Sequence, residues 1–152
     1  MSAEQNKQLV ARFNEEFWAK GNLEIADELV ADNFIDHDPF PGFDHSRDAW
    51  KYIYNEMKKG LVVLDYQVVG PYAEGDKVFS YWKFITKREG EYFGVPGNGE
   101  EYMMEGIDIY RIENGKLAEV WNCVNKFGMM VQLGLLDPTK LPCANVESCK
   151  QN

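Results

Sequence analysis

Two side chains able to exchange or orient protons, Asp108 and Asn122, lie on the two strands of a predicted β-hairpin that runs from Glu105 to Asn125. The dipeptide Asn114-Gly115 predicts the turn, because both residues tolerate positive φ. Asp108 occupies a position that favours a hydrophobic residue, and a buried carboxylate is costly unless it is paired or neutralised. Asp108 therefore either lies on a solvated face or is held in a cavity for proton transfer. Its largely apolar neighbours on the same face favour the cavity.

A second pair of candidates, His37 and Asp38, lies immediately before Pro39. Proline excludes a long helix in the segment Phe34 to Asp44, which predicts a short strand and a turn. An aspartate before proline is ordinary turn chemistry, so Asp38 is either a turn residue or a catalytic base. Because successive side chains of an extended chain point in opposite directions, we expect only one of His37 and Asp38 to face a common site.

The elements that must position these groups change type once along the chain. Ser2 followed by Gln5 matches a capping box at the start of a helix, and Ser46 is a suitable cap for a later one. After Gly60 the hydrophobic period changes from about 3.6 to about 2 residues, which is typical of strands. Helices followed by an antiparallel meander predict an α+β fold with the helices packed on one face of the sheet. The predicted helices end near Lys20, Val30 and Gly60, the predicted strands are Leu61 to Gly70, Lys77 to Lys87 and the hairpin pair, and Glu91 to Glu101 is an irregular rim.

Composition limits the partners and the compartment. The chain of 152 residues fits one domain over residues 1–134 with a C-terminal tail over residues 135–152. A formal net charge of −9 argues against nucleic acid and membrane as partners, because both require a basic surface. The polar start MSAEQNKQ and an odd number of cysteines, three, predict a cytoplasmic protein without a secretory signal. Cys123 is expected in the core, whereas Cys143 and Cys149 either pair or stay free.

Motifs for metals and nucleotides are not evident in the sequence. Two histidines, His37 and His45, are too few for a histidine-rich metal cage. No glycine-rich phosphate loop follows a strand. We therefore predict no cofactor and no metal.

Four motifs, in order along the chain, carry a resemblance to a known family: Asp36-His37-Asp38-Pro39, Gly94-Val95-Pro96, the hairpin turn Arg111-Ile112-Glu113-Asn114-Gly115-Lys116, and Gly128 followed by Gln132-Leu133-Gly134. From about Gln5 to Gly134 the chain resembles the SnoaL-like polyketide cyclases of the nuclear transport factor 2 and ketosteroid isomerase superfamily. The resemblance implies a cone-shaped, curved antiparallel sheet with three N-terminal helices packed on its concave face. It also implies a pocket for a small-molecule substrate and, usually, a homodimer.

The same resemblance implies roles for particular positions. In the cyclases a histidine and an acid/base aspartate occupy the positions of Asp108 and Asn122, so the cyclase pair is not copied here. In ketosteroid isomerase a base and a protonated acid fall on Asp38 and Asp108, and a tyrosine falls on Asn14. The resemblance thus implies Asp38 as a base and Asp108 as a protonated donor, with Asn122 orienting it or adding a second donor.

The residues and the resemblance together predict a cofactor-free acid/base enzyme of the SnoaL-like type, a polyketide cyclase, isomerase, dehydratase or hydrolase, acting on a small, mostly apolar carbonyl compound. The alternative is a non-catalytic small-molecule-binding or scaffold module, because the fold alone does not decide the function. The strand Lys77 to Lys87 is apolar on both faces, which predicts a homodimer through the outer sheet face. The candidate catalytic residues are Asp38, Asp108, Asn122 and His37, and the candidate pocket residues are Asn14, Phe17, Trp18, Trp50, Tyr54, Trp82, Met104 and Trp121.

Overall fold

A computed structural model describes residues 2–140 of the protein. Helix α1 (Ala3–Phe13) continues into a π-helical segment (Asn14–Ala19), and α2 (Ile25–Leu29), strand β1 (Val30–Asp36) and α3 (Arg47–Gly60) follow. Four longer strands come next: β2 (Leu61–Glu74), β3 (Lys77–Arg88), β4 (Glu101–Glu113) and β5 (Lys116–Val124). The described part ends with α4 (Lys126–Gln132) and a 3₁₀ turn (Pro138–Lys140). Cys143, Cys149 and most of the predicted tail lie outside the described residues.

Capping sets the limits of the first helix. The Ser2 hydroxyl accepts a hydrogen bond from the Gln5 backbone N–H at 3.2 Å, and the Gln5 side-chain oxygen accepts one from the Ser2 N–H at 2.8 Å. This is the capping box that the sequence predicts. Gly21, with a φ of +73°, adopts the left-handed conformation that turns the chain away after the helix.

The sheet has the strand order β1-β5-β4-β3-β2 and is antiparallel among its four longer strands. The hairpin turn lies at Asn114 and Gly115, with φ angles of +50° and +78°, as the sequence predicts. β1 pairs in parallel with β5 at one edge, a pairing that the expected antiparallel sheet did not include. The chain passes from β1 through α3 to the opposite edge of the sheet, so no hairpin fixes the direction of β1.

The hydrophobic core lies between the helices and the concave face of the sheet. Phe13 packs 5.1 Å from Phe17 and 5.6 Å from the Trp50 ring of α3, measured between ring centroids. Trp50 in turn meets Tyr110 of β4 edge to face at 6.3 Å. The predicted α+β fold with helices on one face of a curved sheet is therefore confirmed.

The convex face of the sheet, in contrast, is apolar and exposed. A cross-strand row on this face consists of Tyr72, Phe79, Ile109 and Trp121, with Ile107 beside it, and these side chains are 37% to 53% exposed. Cys123 pairs with Ile107 and is exposed as well, so the expectation that it lies in the core was wrong. The reason is its position in the alternation, since Asn122 and Val124 on either side of it point into the concave face.

Candidate active site

A cavity of about 70 Å³, open to solvent at its mouth, lies between the helices and the concave sheet face. Aromatic and aliphatic side chains form most of its wall. Its acidic and amide side chains are Asp36, Asp38, Asp108 and Asn122. A small number of polar groups in an apolar concave site is the usual composition of a ligand pocket.

Asp108 lies on β4, directly between Ser80 of β3 and Asn122 of β5 in the cross-strand register. Asp108 and Asn122 form a cross-strand pair because a β-bulge between Arg111 and Ile112 shifts the register of the hairpin by one residue. Asp108 is only 8% exposed, and one of its carboxylate oxygens accepts a hydrogen bond from the Tyr110 hydroxyl at 2.9 Å. Asp108 therefore lies in the cavity, not on a solvated face.

Burial raises the pKa of Asp108 from 3.8 to about 6, because an apolar environment disfavours the charged carboxylate. The negative charge of Asp36 raises this pKa further, and the Trp82 indole and the Tyr110 hydroxyl oppose the increase. The increase agrees with the sequence-based prediction. A pKa of about 6 nevertheless leaves Asp108 mostly ionised at pH 7, so the expected protonated donor is a minor species at that pH.

Asp36, at the end of β1, is a second cavity carboxylate that the sequence analysis did not select. It is 4% exposed and accepts hydrogen bonds from the Trp50 indole N–H at 2.9 Å, the Asn122 amide at 2.7 Å and the Asp38 backbone N–H at 2.9 Å. Three donors thus satisfy the oxygens of this buried carboxyl group. Alternation places Asp36 on the same side of β1 as Phe34, which is also buried, but alternation alone does not show that this side faces the cavity.

Asn122 connects the two buried acids. Its amide nitrogen donates to Asp36 while its strand position pairs with Asp108. Asn122 thus holds Asp36 in a fixed orientation from the strand next to Asp108, although it cannot take up a proton itself.

Trp82 on β3 places an unused hydrogen-bond donor in the cavity. Its indole nitrogen is buried, lies close enough to Asp108 to lower the pKa of that acid, and has no partner with hydrogen-bond geometry. Trp82 pairs across the sheet with Gly106, where a Cβ atom would lie 2.7 Å from an indole carbon. Because Gly106 has no side chain, the Trp82 indole can pack closely against the backbone at this position.

Asp38 lies at the mouth of the cavity. Its side chain is 54% exposed, and Lys126 at the start of α4 donates to its carboxylate at 2.9 Å. The same ammonium group lies 5.3 Å from the centre of the Phe40 ring, which also lines the cavity. Asp38 is thus a partly solvated acid with a cationic partner.

His37 and Trp121 lie outside the cavity, on the convex face. Their rings stack at 4.4 Å with an interplanar angle of 5°, and the His37 Nε2 atom lies 2.7 Å from Glu119 Oε2. Lys77 lies 4.9 Å from the centre of the Trp121 ring. Of His37 and Asp38, only Asp38 lines the cavity, in agreement with the expectation that one of the two would do so.

The other predicted pocket residues divide into two groups. Trp18, Trp50, Trp82 and Met104 line the cavity. Asn14, Phe17 and Tyr54 do not line it: Asn14 and Phe17 are buried in the helical layer, and the Tyr54 ring lies against Gly21. Additional wall residues that the sequence analysis did not name include Phe40, Tyr66, Phe84, Tyr92 and Met129.

Residues 2–140 contain neither a cluster of metal ligands nor a helix that could span a membrane. Among residues 2–140, no three His, Cys, Asp or Glu side chains come together in a way that could hold a metal ion. No helix in that range is long and apolar enough to cross a membrane.

A curved sheet that encloses a cavity against N-terminal helices defines the nuclear transport factor 2-like class of folds. Within this class, the family model of the SnoaL-like polyketide cyclases matches residues 8–133. The chain therefore belongs to the SnoaL-like polyketide cyclase family. The comparison with curated proteins gave no match.

Solved structures show the same fold. A candidate polyketide cyclase from Acidithiobacillus ferrooxidans matches with a TM-score of 0.72 and 22% identity, over 90% of this chain and 100% of that chain. IdmH, a candidate polyketide cyclase from Streptomyces antibioticus, has a TM-score of 0.70 and 24% identity, over 86% and 99% of the two chains. AclR, a candidate hydroxylase from Streptomyces galilaeus, has a TM-score of 0.68 and 22% identity, over 90% and 100%. At these identities the likeness establishes the fold and leaves the reaction open.

Proposed function

We propose that the protein is an acid/base enzyme that acts next to a carbonyl group of a small, mostly apolar substrate, with Asp108 as the group that moves the proton. The observation that supports this function is a buried carboxylate with a pKa of about 6 in an apolar cavity. A base whose pKa lies near the working pH is largely ionised and still takes up a proton readily. Strongly perturbed acids in clefts are concentrated at functional sites.

The first step of the proposed reaction is proton abstraction. The ionised Asp108 removes a proton from the carbon next to the substrate carbonyl, and the electron pair of the broken C–H bond moves to the carbonyl oxygen. The Trp82 indole N–H makes no hydrogen bond of normal geometry among residues 2–140, and it is a donor available to the resulting enolate oxygen. The enolate carbon then attacks a second carbonyl group, which closes a ring and leaves an alkoxide to be protonated. If the substrate is a β,γ-unsaturated ketone, the dienolate instead takes the proton at its γ carbon, which moves the double bond. In both cases Asp108 returns its proton to the product.

The charges in the cavity favour this assignment. Abstraction neutralises Asp108 at the moment when the substrate becomes negative, so the number of negative charges in the cavity does not increase. Asp36 keeps its three hydrogen bonds throughout the reaction. Asp36 therefore serves to raise the pKa of Asp108 and to hold Asn122 in place.

Asp38 is the alternative base in this proposal. Its carboxylate lies at the mouth, is bound by Lys126 and is partly solvated. Asp108, in contrast, is buried in the apolar part of the cavity, and its pKa is raised to about 6. The proposal therefore assigns proton transfer to Asp108 and leaves Asp38 as a residue of the entrance.

Deuterium exchange tests the proton-transfer step without knowledge of the natural product. The protein is incubated with 2-tetralone, an apolar bicyclic ketone, in D₂O near pD 7, and loss of the proton signal next to the carbonyl is followed by NMR. We expect exchange faster than in buffer, a decrease of about 10²-fold for Asp108→Asn, and a rate that increases as the pH rises through about 6. Asp65→Asn, which alters an exposed aspartate on β2, is the matched control.

Each outcome of this experiment has a defined meaning. If Asp38→Asn abolishes exchange while Asp108→Asn retains it, Asp38 is the base. If Asp108→Asn exchanges as fast as the wild type, the assignment of Asp108 is refuted. If the wild type binds the ketone without accelerating exchange, the non-catalytic binding module becomes the better explanation.

We also propose that the protein forms a homodimer through the convex sheet face. The exposed row of Tyr72, Phe79, Ile109 and Trp121, with Ile107, supports this proposal. Contiguous apolar patches of this kind are uncommon on monomers and often mark a protein interface. A partner subunit on this face would also cover the stacked His37 and Trp121 rings.

A further inference from the structure

The interior of the cavity contains acids but no cationic side chain. Of the described residues that line it, none is a lysine, arginine or histidine. Lys126 reaches only the mouth, where it binds Asp38. The two deeper acids, Asp36 and Asp108, have hydrogen-bond donors that are all neutral: an indole, an amide, a hydroxyl and a backbone N–H. Their negative charge is therefore not compensated within the described part of the chain.

Several acidic side chains outside the cavity, in contrast, form ion pairs with lysine or arginine. On the convex face Glu119 is paired with Arg111, and on the helical side Asp27 is paired with Lys51. Acids in water need such partners least, whereas acids in an apolar cavity need them most. Two carboxylates without a cationic partner in an apolar cavity thus create a site that attracts positive charge from a ligand.

The cavity wall adds a second feature that attracts cations. The Tyr66 and Phe84 rings stack at 4.2 Å, and Phe84 lies 6.0 Å from Trp82 and 6.4 Å from Trp18. Trp18 in turn lies 6.0 Å from Trp50, which completes a continuous aromatic wall. The faces of aromatic rings carry negative charge density and attract ammonium groups, most strongly where water is excluded. Such rings also offer planar surfaces for an aromatic ligand body.

We propose that the cavity selects its ligand by charge, binding an aromatic body with a protonated amine more tightly than the neutral isostere and rejecting the free carboxylate. The proposal deepens the proposed function, with which it shares the cavity, but it concerns binding and requires no turnover. An ammonium group next to Asp36 and Asp108 would relieve the repulsion between the two acids. A carboxylate would place a third negative charge beside them, without a cation to offset it.

Three isosteric probes test the proposal: 2-(2-naphthyl)ethylamine, 2-(2-naphthyl)ethanol and 2-naphthylacetate. Their dissociation constants are measured by calorimetry at pH 7.5 and pH 5. At pH 7.5 we expect the amine to bind at least tenfold more tightly than the alcohol, and the carboxylate to bind at least tenfold more weakly than the alcohol. At pH 5 the advantage of the amine should decrease, because the pKa of Asp108 is about 6 and its carboxylate takes up a proton.

Variants connect the preference to the two acids. Asp108→Asn and Asp36→Asn should each reduce the ratio between amine and alcohol severalfold, whereas Asp65→Asn on the exposed surface should leave it unchanged. If Asp36→Asn does not fold, Asp108→Asn and the pH dependence of the wild type carry the test. An amine that binds no more tightly than the alcohol, a carboxylate that binds as tightly as the alcohol, or failure of the amine to bind below millimolar concentration would overturn the proposal.

The two proposals fail in different ways. Correct charge selection with no deuterium exchange of 2-tetralone would refute catalysis alone. Deuterium exchange that depends on Asp108, together with equal affinity for the three naphthyl probes, would refute charge selection alone.

Discussion

Replacing Asp108 with asparagine is expected to stabilise the protein at neutral pH, although it removes the group that we propose for catalysis. The pKa of Asp108 is raised from 3.8 to about 6 in the folded state, chiefly because burial disfavours the charged form. A raised pKa means that the folded state binds this proton more tightly than the unfolded state does. The stabilising contribution of the carboxyl group is therefore complete below about pH 4, decreases as the pH rises toward about 6, and is lost above that value.

The magnitude follows from the shift. About two pKa units correspond to about 3 kcal/mol between the two limits of pH. Asparagine has nearly the same shape and no charge, and its oxygen can still accept from the Tyr110 hydroxyl that now lies 2.9 Å from the carboxylate. At pH 7 the free energy of unfolding of Asp108→Asn should exceed that of the wild type by up to about 3 kcal/mol, or roughly 6–12 °C in melting temperature. At pH 4 the difference should vanish.

Urea denaturation of both proteins at pH 4, 5, 6, 7 and 8 measures this difference directly. Asp65→Asn is the matched control, because Asp65 is exposed on β2 and its carboxylate contacts only the Gln67 side chain among the described residues. The control should change the free energy of unfolding little and equally at every pH. A variant Asp108→Asn that is less stable than the wild type at pH 7, or a difference that does not vary from pH 4 to pH 8, would refute the reasoning.

Three further predictions concern the surroundings of the cavity and the outer face. Trp82→Phe keeps an aromatic ring but removes the unpartnered indole N–H, so the exchange rate of 2-tetralone should decrease about 10- to 100-fold with little change in melting temperature. Gly106→Ala places a Cβ atom 2.7 Å from the Trp82 ring, so the free energy of unfolding should decrease by about 1–3 kcal/mol and the environment of the indole should change in near-ultraviolet circular dichroism. Ile107→Lys places a charge on the exposed convex face. Sedimentation should show a dimer for the wild type and a 17.5 kDa monomer for the variant. A wild-type monomer at micromolar concentration would contradict the proposed interface.

The hairpin could be predicted in detail because its signals are local. Asn114 and Gly115 fix the turn, and the turn fixes the register of the two strands that it joins. The pairing of Asp108 with Asn122 also requires the β-bulge between Arg111 and Ile112, because the uninterrupted register of the turn would place Asp108 opposite Trp121. The direction of the change in the Asp108 pKa could be predicted for the same reason, since apolar neighbours on one strand face imply burial.

Asp36 could not be selected with the same certainty, because its position depends on a pairing between distant segments. β1 joins the sheet beside β5, in parallel, across more than eighty residues of chain. Alternation assigns Phe34 and Asp36 to one side, but it does not identify which side faces the cavity. Trp121 lies on the convex face for a related reason. Neighbouring side chains of β5 point to opposite faces of the sheet, so Trp121 lies outside the cavity while Asn122 lies inside it.

The register of the hairpin also bears on the departure from the cyclase pattern. The resemblance to the cyclases implies an acid/base aspartate at the position of Asn122 and a histidine at the position of Asp108. Because these two positions form one cross-strand pair, a carboxylate on either strand faces the same part of the cavity. An aspartate at position 122 as well would place three acids together in an apolar site with no cation among the described lining residues. In this chain the acid lies on β4, as Asp108, and an amide, Asn122, lies on β5. The amide donates a hydrogen bond to Asp36 at 2.7 Å, which an aspartate at position 122 could not do in its ionised form. The loss of the aspartate at position 122 is therefore compatible with proton transfer by Asp108.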